Sequence, residues 1–173
     1  NKTHLHDYEN AICEETAAIM RVHHSNYRIL GFSSEPGVGE LAELAHKHDL
    51  PLMDDIGSGA LVDLSEFGVE SEPLVKDSIA MGSDVICFSG DKLVGGPQAG
   101  IIVGKADILK RIRKNPLSRA FRIDKLTIAA MEATLKLFLN PERLNANHPV
   151  YRMFSAPKNQ MNRRARKMLR EIK

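Results

Sequence analysis

Apolar positions along the chain recur at two different spacings, and the two alternate. Residues 5–16 (LHDYENAICEET) place Leu5, Tyr8 and Ile12 at helical intervals with acidic residues between them, which predicts an amphipathic helix. Residues 17–23 (AAIMRVH) and 28–32 (RILGF) predict short strands around the polar turn of His24, Ser25 and Asn26. Glu35, Pro36 and Gly37 break the chain, and Val38, Leu41, Ala42, Leu44 and Ala45 then predict a helix over 38–48. A buried strand is expected over 50–56 (LPLMDDI), running into the loop of Gly57, Ser58 and Gly59. Next come a helix over 72–81, ended by Gly82, and a strand over 84–88 (DVICF). That strand is of the continuous apolar kind that suits a sheet covered on both faces. A further strand is expected over 100–103, then a helix over 106–114 stopped at Asn115 and Pro116. Asp124 is placed to cap a longer helix over 125–139, stopped at Asn140 and Pro141.

Such helix–strand alternation predicts an α/β layer fold with a largely parallel sheet. The end of the chain differs in character. Residues 145–157, punctuated by Pro and Asn, predict a linker. Residues 158–173 predict a strongly basic helix with a partial apolar stripe of Met161, Ala165, Met168, Leu169 and Ile172. Its charged face reads as solvated.

Composition narrows the classes. A chain of 173 residues, 43% hydrophobic and 27% charged, can bury roughly two-thirds of its unfolded surface and is not of disordered composition. Lys and Arg number 24 against 22 Asp and Glu, a net charge of +2, so no polyelectrolyte character points to nucleic acid. Two cysteines, Cys13 and Cys87, are too few for a disulfide framework or a cysteine zinc cluster, and no metal site is read. Cys87 reads as a small buried hydrophobe and Cys13 as a helix residue without chemistry. No apolar run reaches membrane-spanning length, and no signal peptide opens the chain. The start at Asn1 rather than Met, inside what reads as a solvated helix, leads us to expect part of something longer.

Candidate chemistry gathers where loops leave strand ends, the usual place for it in such sheets. Three polar clusters qualify: His23 to Asn26, Asp54 to Gly59, and Ser89 to Lys92. In the third, CFSGDKLVGGPQAGI, a lysine follows an apolar strand between glycine-rich turns. Alone it reads as a surface turn lysine. The sharper reading is a nucleophilic amine for an aldehyde cofactor. The second cluster favours the sharper reading, because pyridoxal phosphate needs a carboxylate against its ring nitrogen and Asp55 ends an upstream strand. Gly57 would let a ring approach the backbone closely. His23 and His24 read as hydrogen-bonded turn residues.

The runs VHHSNYRILGF, DDIGSGAL, FSGDKLVGGPQAGIIVGK and LSRAFRIDKLTIAAMEATL, in that order, resemble the bacterial selenocysteine synthase family. The resemblance extends from about Asp7 to about Pro157. It implies a three-layer α/β/α, aspartate aminotransferase-like large domain of a pyridoxal phosphate transferase, incomplete here and belonging to a chain more than twice as long. Residues 1–144 would be part of that domain, and 145–173 a linker and basic helix leading into a small C-terminal domain. Residue by residue, it implies that Lys92 binds the cofactor, Asp55 pairs with the ring nitrogen, Ser89 contacts the cofactor phosphate, and Asn26 lies near the phenolic oxygen. Asp91 matches an acidic position implicated in catalysis, and Arg119 and Arg122 match arginines that hold an anionic selenium donor. Two guanidinium groups three residues apart also suit a phosphate-like anion when they share a helical turn. The implied reaction turns seryl-tRNA(Sec) into selenocysteinyl-tRNA(Sec) with selenophosphate, in a cytoplasmic ring of dimers. The basic C-terminal helix could then touch tRNA phosphates, though a solvated face is the preferred reading. This chain by itself is expected to bind the cofactor weakly and to turn over nothing. Two alternatives are a related lyase or transferase acting on a small amino acid, and a non-catalytic remnant of the fold.

Overall fold

The computed structural model describes residues 2–27, 29–69 and 72–172. Four strands make one sheet in chain order: β1 (Ile19–Val22), β2 (Leu52–Gly57), β3 (Val85–Ser89) and β4 (Gly100–Gly104). The first three run parallel and β4 returns antiparallel to β3. Parallel neighbours need a crossover between them. Here α2 (Val38–Lys47) and α3 (Val75–Ala80) lie on the β1–β2 and β2–β3 crossovers. Before the sheet lies α1 (Leu5–Ala11). After it come α4 (Ala106–Lys114), α5 (Leu117–Ala120), α6 (Lys125–Leu137), α7 (Leu144–Asn147), α8 (Pro149–Phe154) and α9 (Lys158–Ile172).

Period-two alternation divides the sheet's side chains between its faces. One face is packed. Ile19 and Leu52 meet Leu41, Ala42 and Ala45 of α2, while Ile56, Ile86 and Phe88 meet Val75 of α3 and Met131 of α6. A fully buried leucine such as Leu52 contributes about 1.5–3 kcal/mol by leaving water. The alternate positions form the other face, on which Met20, Val22 and Ile102 stay about half exposed. A first-turn contact starts α2, where the Glu40 carboxylate accepts from Gly37 N–H at 2.7 Å. At α6, Asp124 caps as the sequence predicts, its Oδ1 accepting from the backbone N–H of Leu126 and Thr127 at 2.7 and 3.0 Å.

A buried carboxylate ties the base of the sheet together. Asp84 accepts from Leu52 N–H at 2.7 Å, from His46 Nε2 at 2.9 Å and from Lys105 Nζ at 2.5 Å. Burial alone would raise its carboxyl, but the Lys105, Leu52 and His46 contacts outweigh that and hold it below the ordinary carboxylate range. A depressed folded-state pKa means that the stabilisation is present above the unfolded value of about 3.9 and is lost as pH falls through the folded value. Asp84→Asn is therefore expected to cost about 1.5–3 kcal/mol at neutral pH. In urea titrations across pH, the gap from wild type should close below about pH 4. A gap that stays constant into acid would contradict this.

Several expectations are corrected. The first helix stops at Ala11 rather than running to residue 16. Thr16 instead closes a turn, accepting from Cys13 N–H at 3.0 Å through its hydroxyl, so Cys13 lies outside the helix and is exposed. Residues 29–32 form no strand, and Leu30 and Phe32 are 85% and 90% exposed; Arg28, which opened that expected strand, lies outside the described residues. The expected linker is helical and packed. Leu144, His148 and Tyr151 are fully buried against Leu64 and its neighbours. Tyr151 meets Phe67, Phe138, His148 and Phe154 edge-on. The basic helix forms over Lys158–Ile172, with Met161, Met168, Leu169 and Ile172 exposed. No helix among the described residues is long and apolar enough to cross a membrane.

Candidate active site

Adjacent carboxylates on β2 have opposite surroundings. Asp54 points to the packed face and is 1% exposed. Arg21 Nη1 donates to it at 2.9 Å and Ser78 Oγ at 2.6 Å, with the Ser83 hydroxyl a further 2.8 Å from Ser78. Its charge is thus fully used inside the protein. Asp55, one residue on, takes the half-open face beside Cys87 of β3. Burial and then the Asp55 charge push the Cys87 thiol up, which makes Cys87 a half-buried, unreactive filler. Of the two, Asp55 has no hydrogen bond or ion pair among the described residues and faces the half-open side.

The chain then bends. Register between β2 and β3 shifts between Asp55 and Gly57, and Gly57 adopts φ +66°, a left-handed conformation that favours glycine. A Cβ at Gly57 would stand 2.8 Å from Ser25 Oγ and 3.7 Å from Lys92 Nζ. The glycine therefore keeps open the space where the loops after β1 and β3 meet.

Lys92 reaches this space from a pinned loop. Leu93 N–H donates to Ser58 O at 3.1 Å, Gly95 N–H to Lys92 O at 3.0 Å, and Gly90 N–H to Ala99 O at 2.8 Å. Val94 is fully buried beneath it. The Lys92 side chain is half-buried, and its Nζ donates to Ser25 Oγ at 2.9 Å. Ser25 in turn donates to Asn26 Oδ1 at 3.4 Å.

Ser25, Asn26, Gly57 and Lys92 thus converge at the carboxyl ends of the parallel strands, with Asp55 and Ser89 on the same face of the sheet. Asp91 is exposed beside Lys92. Arg119 and Arg122 are exposed as well, and no hydrogen bond or ion pair among the described residues joins either to this cluster. The helical turn expected to present both arginines ends at Ala120, which leaves Arg122 beyond it. His23 pairs with Glu72 at 3.1 Å and His24 with Glu35 at 3.1 Å, as turn residues do. Sequence reasoning missed Ser25 as the partner of Lys92. The available signal was a hydroxyl in the polar turn after β1, facing a glycine that ends β2.

An amine held by a neutral acceptor beside a glycine, and a carboxylate on a neighbouring strand with no hydrogen bond among the described residues, suit an aromatic aldehyde cofactor with a basic ring nitrogen. Comparison with known proteins points the same way. The family model described as L-seryl-tRNA selenium transferase (SelA) matches residues 1–173. The L-seryl-tRNA(Sec) selenium transferase of Maridesulfovibrio salexigens is 53% identical over 173 residues, which is all of this chain and 37% of that protein. Its counterpart in Solidesulfovibrio magneticus is 54% identical over 168 residues, covering 97% of this chain and 36% of that protein. This chain therefore spans little more than a third of the length of these relatives. Among solved structures, D-glucosaminate-6-phosphate ammonia-lyase superposes with a TM-score of 0.63 at 22% identity, over 81% of this chain and 34% of that one. An aspartate aminotransferase from Thermus thermophilus superposes with a TM-score of 0.55 at 20% identity, over 98% of this chain and 41% of that one. These likenesses establish the α/β/α layer fold of that aminotransferase. With the family matched from its first residue to its last, the chain belongs to the L-seryl-tRNA selenium transferases.

Proposed function

We propose that this chain carries the reacting lysine of an enzyme that converts seryl-tRNA(Sec) to selenocysteinyl-tRNA(Sec), with pyridoxal phosphate as cofactor and selenophosphate as selenium donor. The observation that carries this reading is the Lys92 amine held on Ser25 beside the space that Gly57 leaves at the end of β2. When bound, pyridoxal phosphate supplies an electron sink that lets an attached amino acid lose its α-proton and its β-substituent.

The chain's own residues would divide the rest of the work. Lys92 would bind the cofactor through its ε-amine, Asp55 would stand against the ring nitrogen, Ser89 would contact the phosphate, and Asn26 the phenolic oxygen. Gly57 leaves the space they share. Whenever it is not bonded to the cofactor, the Lys92 amine would accept the α-proton and protonate the departing serine hydroxyl. Asp91, adjacent and exposed, is a second candidate for proton handling. Arg119 and Arg122, solvent-facing and cationic, would hold the selenophosphate anion by charge-assisted hydrogen bonds. In this reading the enzyme is a cytoplasmic ring of dimers. Residues 1–144 belong to its large domain, and 145–173 lead toward a small C-terminal domain. Relatives at about half identity that carry the transferase name favour it over a lyase of small amino acids.

The test uses the complete gene product that contains this chain, loaded with pyridoxal phosphate. Given seryl-tRNA(Sec) and selenophosphate, it is expected to yield selenocysteine when the ester is hydrolysed and the amino acid is weighed by mass spectrometry. Conversion of free serine at the same rate, without tRNA, would overturn the tRNA reading in favour of a small-amino-acid enzyme.

A further inference from the structure

Lys92 is touched by a residue to which the reaction as described gives no role. Its Nζ donates to Ser25 Oγ at 2.9 Å, across 67 positions of sequence. Ser25 sits in the turn that leaves β1, and its backbone N–H donates to His23 O at 2.9 Å. The turn is therefore closed by main chain, and the side chain is left over for another purpose. A hydroxyl has one proton and two lone pairs. With its proton directed to Asn26 Oδ1 at 3.4 Å, Ser25 presents a lone pair to the lysine.

The surroundings preserve this contact. Gly57 holds φ +66°, and a side chain there would stand 2.8 Å from Ser25 Oγ, inside contact distance. Lys92 is likewise fixed at its base, through Leu93 N–H to Ser58 O and Gly95 N–H to Lys92 O. A long lysine side chain anchored at the backbone still has four rotatable bonds, and one acceptor at the tip removes much of that freedom.

Resting on the reading of Lys92 as the cofactor-binding lysine, we propose that Ser25 is a positioning residue. It holds the ε-amine of Lys92, whenever that amine is not bonded to cofactor, at the place from which it attacks the aldehyde carbon. The hydroxyl does this as an acceptor and takes no part in bond making. Asn26 orients the hydroxyl.

Covalent trapping on the cofactor-free form of the complete gene product tests this, with pyridoxal phosphate as the aldehyde probe. The ε-amine adds to the aldehyde carbon, water leaves, and borohydride delivers hydride to the resulting carbon–nitrogen double bond. This leaves a stable secondary amine that peptide mass spectrometry locates. The initial rate of labelling at Lys92 is expected to fall about three- to tenfold in Ser25→Ala, the effect of one lost hydrogen bond. Ser25→Thr, which keeps the hydroxyl, is expected to label like wild type. Equal rates in wild type and Ser25→Ala would overturn the role of Ser25 while leaving Lys92 as the cofactor lysine. A threonine variant as slow as the alanine variant would likewise overturn a role for the hydroxyl. No label on Lys92 in wild type would overturn the reading of the lysine, and the role of Ser25 with it.

Discussion

A Lys92→Ala variant of the complete gene product is expected to emerge from pyridoxal phosphate treatment and desalting without the visible absorbance of covalently bound cofactor. Turnover should fall by at least about a thousandfold, as when a group central to covalent catalysis is removed. Lys92→Arg should be as inactive, because a guanidinium stays protonated and cannot serve as the nucleophile. Neither variant should unfold the protein. Among the described residues the Lys92 tip makes one hydrogen bond, from a half-buried position, worth about 0.5–1.5 kcal/mol. Retention of the absorbance in Lys92→Ala would remove the lysine from the chemistry altogether.

The second large effect separates two neighbouring carboxylates. Asp54→Ala is expected to cost about 3 kcal/mol in chemical denaturation, since it leaves the partly buried Arg21 without its counter-charge. Arg21 Nε already lacks a partner among the described residues, so little else would compensate. Asp55→Asn should leave stability nearly unchanged, because its carboxylate makes no hydrogen bond among the described residues and is only half-buried. Turnover should instead fall about a hundredfold or more, the scale expected when a charge aimed at a developing charge is removed. The reverse pattern, with Asp54 governing turnover and Asp55 governing stability, would mean that the site lies on the packed face.

Most of the fold was legible because it is written in local rules. The helix over Ala106–Lys114 begins and ends where its periodicity and the Asn115–Pro116 stop put it, and Asp124 caps α6 as read. Errors arose where tertiary context decides. Residues 29–32 have strand composition, but β-propensity records fitness for a pleated, half-buried surface and does not supply an edge to pair with. Pro149 read as a breaker, yet it occupies the first turn of α8, where a missing N–H costs nothing. There His148 caps the helix: its Nδ1 accepts from Val150 N–H at 3.2 Å, while Nε2 bonds Val94 O at 2.9 Å. The first helix stops short of its apolar pattern because the hydroxyl of Thr16 competes for backbone groups near Cys13.

The site was legible in kind but not in assembly. Lys92, Asp55 and Gly57 stand out by residue type at strand ends, and collinear motifs assign them roles. Nothing in residue spacing pairs Lys92 with Ser25, because that contact depends on the parallel register that brings the ends of β1 and β2 together. Sequence alternation alone would have separated Asp54 from Asp55, since a single step along a strand reverses the face.

That half-open face, with Met20, Val22 and Ile102 about half exposed, makes the electrostatic strength of Asp55 conditional. Beside water, a carboxylate and a ring nitrogen attract one another only weakly, because solvent dipoles turn to shield both charges. Lay an apolar surface over that side of the sheet and the effective dielectric drops severalfold, so the same pair at the same separation interacts correspondingly more strongly. The cofactor's power as an electron acceptor would then depend on what shields Asp55 as much as on Asp55 itself.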